Sequence, residues 1–119
     1  MYKDKVQLTR MWVVKPAGVE KFGKNLEDHA NWMKETHHKE GEKALLVYNL
    51  STGPEIVEEE PTGNTIFVLT EVYQTEKGID DHFAQAGETL KMTHEWDEFS
   101  EDIVNELFCD RAIINHSLW

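Results

Sequence analysis

The sequence predicts an α+β domain with elements in the order β-α-β-β-α-β, four strands in one antiparallel sheet and both helices on one of its faces. Three observations carry that expectation. Four segments of strand length are rich in β-branched, aromatic and aliphatic residues. Two segments repeat apolar residues three and four positions apart, the period of a helix. A similar strand-to-helix junction occurs twice, dividing the chain into two βαβ halves.

Residues Lys5 to Val14 set Val6, Leu8, Arg10, Trp12 and Val14 against Gln7, Thr9, Met11 and Val13, the alternation of a first strand. Pro16 closes it. Val19, Phe22, Leu26, Ala30 and Met33 then form an apolar stripe, so a first helix runs from Ala17 to Thr36, with Gly41 in the connection that follows. Lys43 to Leu50 and Thr65 to Tyr73 are apolar at consecutive positions and read as strands two and three. Between them, Ser51 to Asn64 carries Gly53-Pro54, the acidic run Glu58-Glu59-Glu60, Pro61 and Gly63-Asn64, which predicts a hairpin with a long exposed loop at its tip. Thr75 is placed to cap a second helix whose stripe is Ile79, Phe83, Ala86 and Leu90. A short third helix is expected over Trp96 to Val104, capped by Ser100, and a fourth strand over Cys109 to Asn115. Gly18-Val19-Glu20-Lys21-Phe22 and Gly78-Ile79-Asp80-Asp81-His82-Phe83 open the two helices in similar ways. This is the split βαβ plan of the ferredoxin-like fold, in a single domain over residues 1–119.

Two helices cover only one face of such a sheet, yet strands two, three and four are apolar on both. Open apolar faces of that extent are rare in soluble monomers, so a homodimer paired through the sheet is expected. Charge limits the other partners. With 23 acidic and 12 basic residues the formal charge is −11, which repels nucleic acid and anionic lipid alike. Apolar runs such as Ala44 to Tyr48 fall far short of the ~20 residues of a membrane span, and Met1 to Lys5 leads into no apolar targeting segment, so no membrane association and a cytoplasmic location are expected. The single cysteine, Cys109, fits a reducing compartment and reads as a small buried hydrophobe.

Candidate chemistry rests on histidines. His29 lies one turn from Leu26 and Met33, and His82 lies three residues after Ile79, so both imidazoles point with the helix stripes at the sheet. A histidine there serves either as a base, given its free pKa near 6.5, or as a core residue hydrogen-bonded to a neighbour. His37 and His38 fall at the end of the first helix, where the default is a surface role near the helix carbonyls. His94, past the second helix, lines a pocket mouth or is solvated; Trp12 and Trp96 are the tryptophans placed to line a pocket. Neighbours Asp80, Asp81 and His82 diverge by roughly 100° around a helix and cannot clamp one ion. No His-x-x-x-His pair, Cys-x-x-Cys or calcium loop occurs, so neither a metal nor another cofactor is expected.

Thr70-Glu71-Val72-Tyr73-Gln74-Thr75-Glu76-Lys77-Gly78-Ile79-Asp80-Asp81-His82-Phe83 resembles the strand-to-helix segment of the antibiotic biosynthesis monooxygenase family, in which a strand ending in an acid and an aromatic leads into a helix bearing a histidine and a bulky apolar residue. The resemblance implies a dimeric α/β barrel: two copies pair through their sheets, and each keeps a small-molecule pocket between sheet and helices. It makes His82 the catalytic candidate, with Phe83, His29, Trp12, His94 and Trp96 as substrate-lining. Relatives of that kind include cofactor-free oxygenases of quinols and aromatic polyketides, haem-degrading enzymes and isomerases. The haem branch has a tryptophan where this chain has His82 and a histidine where it has Met92, which argues against haem. Two uses follow: a small-molecule enzyme, in the first instance a cofactor-independent monooxygenase with an isomerase or lyase as variants, or a non-catalytic dimeric module with the acidic tip Glu55 to Glu60 as a recognition loop.

Overall fold

The computed structural model describes residues 1–89 and 100–119. Its elements are β1 (Val6–Val14), α1 (Val19–Thr36), β2 (Leu45–Val57), β3 (Glu60–Tyr73), α2 (Glu76–Thr89) and β4 (Ile103–Ile113). The strands form one antiparallel sheet in the order β2-β3-β1-β4. This is the expected ferredoxin-like α+β plan. Among the described residues no helix is long and apolar enough to cross a membrane.

Alternation along β1 and β3 decides which side chains meet the helices. Trp12 pairs with Phe67, Arg10 with Leu69, Leu8 with Glu71 and Val6 with Tyr73, and this row faces α1 and α2. Phe22 and Leu26 of α1 bury themselves against Trp12, Val14, Phe67 and Leu69, and the Phe22 ring meets Trp12 and Phe67 edge-on at centroid separations of 5.2 and 4.9 Å. Ile79 of α2 packs on Val6, Leu8 and Tyr73. That contact needs Gly78, because a methyl group there would come within 2.5 Å of the Tyr73 ring and 2.9 Å of the Lys43 carbonyl. Thr75 caps α2 as expected, its hydroxyl accepting from the Lys77 amide at 3.2 Å. On the exposed side of α2, Asp80 accepts from Arg111 of β4 at 2.7 Å, which ties the helix to the sheet edge.

Four expectations are corrected. The segment from Ser51 to Asn64 is not a long loop: β2 and β3 continue through it as a ladder to a two-residue turn at Glu58-Glu59. Both turn residues have positive φ, 52° and 69°, the geometry that matches hairpin twist and is usually left to Asn-Gly. Glu55 holds the arm together by accepting from Thr62 and Asn64, so Gly-Pro and acidic composition here mark an exposed ladder and not its absence. The fourth strand begins at Ile103, taking Ile103 and Val104 from the expected third helix, whose first turn at Ser100–Asp102 is 3-10; residues 96–99 of that helix, and Leu90 of the second stripe, lie outside the described residues. Cys109 is exposed, because the register sets it opposite Thr9 on the face away from the helices. Finally, β2 carries one extra residue: Leu45 opposes Tyr73 and Val47 opposes Val72, leaving Leu46 as a bulge.

Candidate functional site

Four elements bring polar side chains into the otherwise apolar layer between helices and sheet. β3 contributes Glu71 and Tyr73, which follow Phe67 and Leu69 in the helix-facing row. β2 contributes Tyr48, which opposes Glu71 directly. α1 contributes His29 from its buried face, with Trp32 beside it, and α2 contributes His82. His37 closes the set. It is the first residue after α1, its backbone is extended at φ −92° and ψ 147°, and its amide donates to the Met33 carbonyl. That turn sends the imidazole inward, against the expected surface role; His38, half exposed, keeps that role within 3.7 Å of Asp81.

The hydrogen bonds run in short links. The His29 Nδ1 and the Tyr48 hydroxyl are 2.8 Å apart, the His37 Nε2 and the His82 Nδ1 are 2.9 Å apart, and the Tyr73 hydroxyl donates to Glu71 Oε1 at 2.5 Å. Thr36 fixes the other side of the His37 ring at 2.9 Å. Glu71 Oε1 also lies 3.7 Å from the His82 Nδ1, while Glu71 Oε2 is buried without a hydrogen-bond partner among the described residues. Ring contacts bind the set together, with His82 5.4 Å from Trp32, 5.9 Å from His29 and 5.1 Å from Phe83.

Burial governs the charges. Glu71 is 0% exposed, and desolvation pushes its carboxyl up to about 7 against the opposing pull of the Tyr73 hydroxyl and the Arg10 guanidinium. Desolvation drives His82 down to about 3 and His29 down to about 4, with His37 and Arg10 adding to the effect on both. His37 is lowered for the same first reason. Both tyrosine phenols are raised by burial and by Glu71. At neutral pH the cluster therefore holds neutral imidazoles, neutral phenols and one carboxyl poised near its midpoint. Arg10, in the same row of β1, directs its guanidinium to Glu106 at 3.6 Å and over the face of Phe108 at 4.1 Å.

No family model matches the chain, and no curated protein is recognisably similar to it in sequence. Among solved structures, a protein of Bacteriodes thetaiotaomicron VPI-5482, provisionally described as an antibiotic biosynthesis monooxygenase, superimposes with a TM-score of 0.57 at 14% identity, over 98% of this chain and 95% of that one. The chain shares the fold of that protein. In this fold the expected site residues separate into three groups. His29 and His82 come together, with Phe83 stacked edge-on against His82 and 6.4 Å from Phe108. Trp12 does not join them: it is part of the core with Phe22 and Phe67. His94 and Trp96 lie outside the described residues.

Sequence reasoning passed over Glu71, Tyr73, Tyr48, His37 and Asn25. The signal for Glu71 was its parity with Phe67 and Leu69, which puts a carboxyl in a core row. Asn25 precedes His29 by one helical turn on the same face, and among the described residues its buried amide has no hydrogen-bond partner for either nitrogen or oxygen.

Proposed function

We propose that the chain is a small-molecule enzyme of the monooxygenase type, acting on a quinol or related electron-rich aromatic beside the His29, Glu71 and His82 cluster. The observation that carries the reading is a closed polar set, drawn from both helices and two strands, inside a layer that is otherwise core. Such a set is costly to bury without a function, and the Asn25 amide and Glu71 Oε2, unpartnered among the described residues, are positions that a polar ligand would satisfy. The fold shared with a monooxygenase-like protein supports the same class.

In this reading a quinol hydroxyl gives its proton to the His82 and Glu71 unit. The imidazolium is disfavoured by burial, so the proton comes to rest on Glu71. The electron-rich ring then reacts with dioxygen: one oxygen atom enters at a ring C–H carbon, the other leaves as water with two substrate hydrogens, and the product is the hydroxylated quinone. Chemistry of this kind draws its electrons from the substrate, and the protein supplies a base and a dry site. His82→Ala is expected to lower quinol-dependent oxygen uptake at least ~100-fold while the circular dichroism spectrum is kept. Unchanged uptake would remove His82 from the mechanism.

The same reading includes a homodimer. The sheet face away from the helices presents Met11, Val47, Ile66, Val68 and Leu107, and Leu107 is 59% exposed in the single chain. A second copy packed sheet to sheet would bury this stripe and leave each helix-side cluster intact. Val68→Glu, in the middle of the stripe, is expected to shift the mass measured by light scattering from two chains to one; a wild-type protein of single-chain mass would reject the dimer.

A further inference from the structure

We propose that His29, Glu71 and His82 form a binding site for a divalent first-row transition cation. One nitrogen from each histidine and one oxygen of Glu71 lie within 4.8 Å of one another, and all three residues are buried. Ligands about 2.1 Å from a common ion sit at most about 4.2 Å apart, so closure of the site asks for rotamer adjustments of roughly half an ångström. The three come from α1, β3 and α2, and a set assembled from three elements leaves no spacing signature in the sequence.

The chemistry of the donors agrees with the geometry. Two imidazoles and a carboxylate are the donor types that first-row divalent cations take, and the three residues supply one donor atom each. Each ligand residue is also held by one outer partner: Tyr48 on the His29 Nδ1, His37 on the His82 Nδ1, and Tyr73 on Glu71 Oε1. Outer partners of this kind orient metal-binding side chains and fix their tautomers. What they leave open includes Glu71 Oε2, buried with no hydrogen-bond partner among the described residues. That carboxylate oxygen, beside two oriented imidazoles, is a donor that a cation would satisfy. Arg10, the guanidinium of the same face, is drawn away toward Glu106 and Phe108. Two nitrogens and one oxygen favour Zn²⁺, Fe²⁺, Co²⁺ or Ni²⁺ over Mg²⁺ and Ca²⁺, which prefer all-oxygen sites.

The proposal goes beyond the enzymatic reading and does not rest on it. A cation and a proton compete for the same carboxylate, so binding is read directly and turnover is measured separately in chelator. The test titrates full-length, chelator-stripped protein with Zn²⁺ by calorimetry and with Co²⁺ by visible absorption. One ion per chain is expected, with a Co²⁺ spectrum of nitrogen and oxygen ligation and no competition from excess Mg²⁺. Glu71→Gln and His82→Ala should each weaken Zn²⁺ at least ~100-fold, Tyr48→Phe about 10-fold, and His38→Ala not at all. Glu71→Gln is nearly isosteric and decides the matter if His82→Ala fails to fold. Binding that survives Glu71→Gln, that is lost in His38→Ala, or that falls below one ion per chain overturns the site.

Discussion

Acidification from pH 6.5 to pH 4 is expected to destabilise the metal-free protein, and two buried histidines are the reason. His29 and His82 have native values pushed down to about 4 and about 3 from an ordinary 6.5. A depressed imidazole binds its proton more readily in the unfolded chain, so its contribution to stability is complete above pH 6.5 and is lost as pH falls toward the native value. Each shift is on the order of 3–5 kcal/mol. A domain of this size commonly has a total stability of about 5–15 kcal/mol. Protonation of Glu71 in the native state returns on the order of 3 kcal/mol over the same range, so the net loss is about the size of one histidine's shift, a large fraction of the lower end of that stability. Thermal melts in chelator between pH 7 and pH 4 should show the midpoint falling steeply, and replacing His82 by Phe should flatten the slope by one proton. A melting temperature independent of pH over that range would show that the imidazoles are better solvated than their surroundings indicate.

Glu71→Gln is expected to do the opposite of most core substitutions and stabilise the protein at pH 8. The Glu71 carboxyl is raised from 4.5 to about 7, so it prefers to remain protonated in the native state. Stability is lost as pH climbs from 4.5 toward 7, and above 7 the full cost of a buried carboxylate persists, on the order of 3 kcal/mol. A neutral amide of the same shape removes that cost and keeps a hydrogen-bonding partner for Tyr73. Urea unfolding should move to higher midpoint at pH 8 and change little at pH 5. The same variant should lose quinol turnover, because the group that receives the proton is gone. A buried group that destabilises the protein at working pH is the usual signature of a residue kept for chemistry. Together the two titrations place the stability maximum of these groups near pH 6.5.

Much of this arrangement was visible in the linear chain. The order of elements followed from where period two gave way to period three and four, and the two helix stripes delivered His29 and His82 to the same layer. The arm was misread because Gly53-Pro54, three glutamates and Pro61 are all turn-forming types, while its ladder is held by backbone pairing that composition does not record. His37 was assigned to the surface because helical periodicity ends one residue before it; its inward course depends on a backbone that has already become extended. Tyr73 and Glu71 were read as part of a junction motif and not as side chains facing inward, although alternation from Phe67 places both there. Cys109 was expected inside on the strength of its residue type, and strand register set it outside.

The bulge at Leu46 sets the arithmetic of the second strand. Counted without it, Val47 would stand opposite Glu71, and the Tyr48 phenol would stand on the far side of the sheet, out of reach of His29. With one residue looped out, odd and even exchange places for the remainder of the strand, so that Tyr48 and Leu50 look inward and Asn49 and Ser51 outward. The cluster thus depends on a count as well as on chemistry. Every residue type it needs could be retained, and a change of one in the length of this strand would still dissolve it.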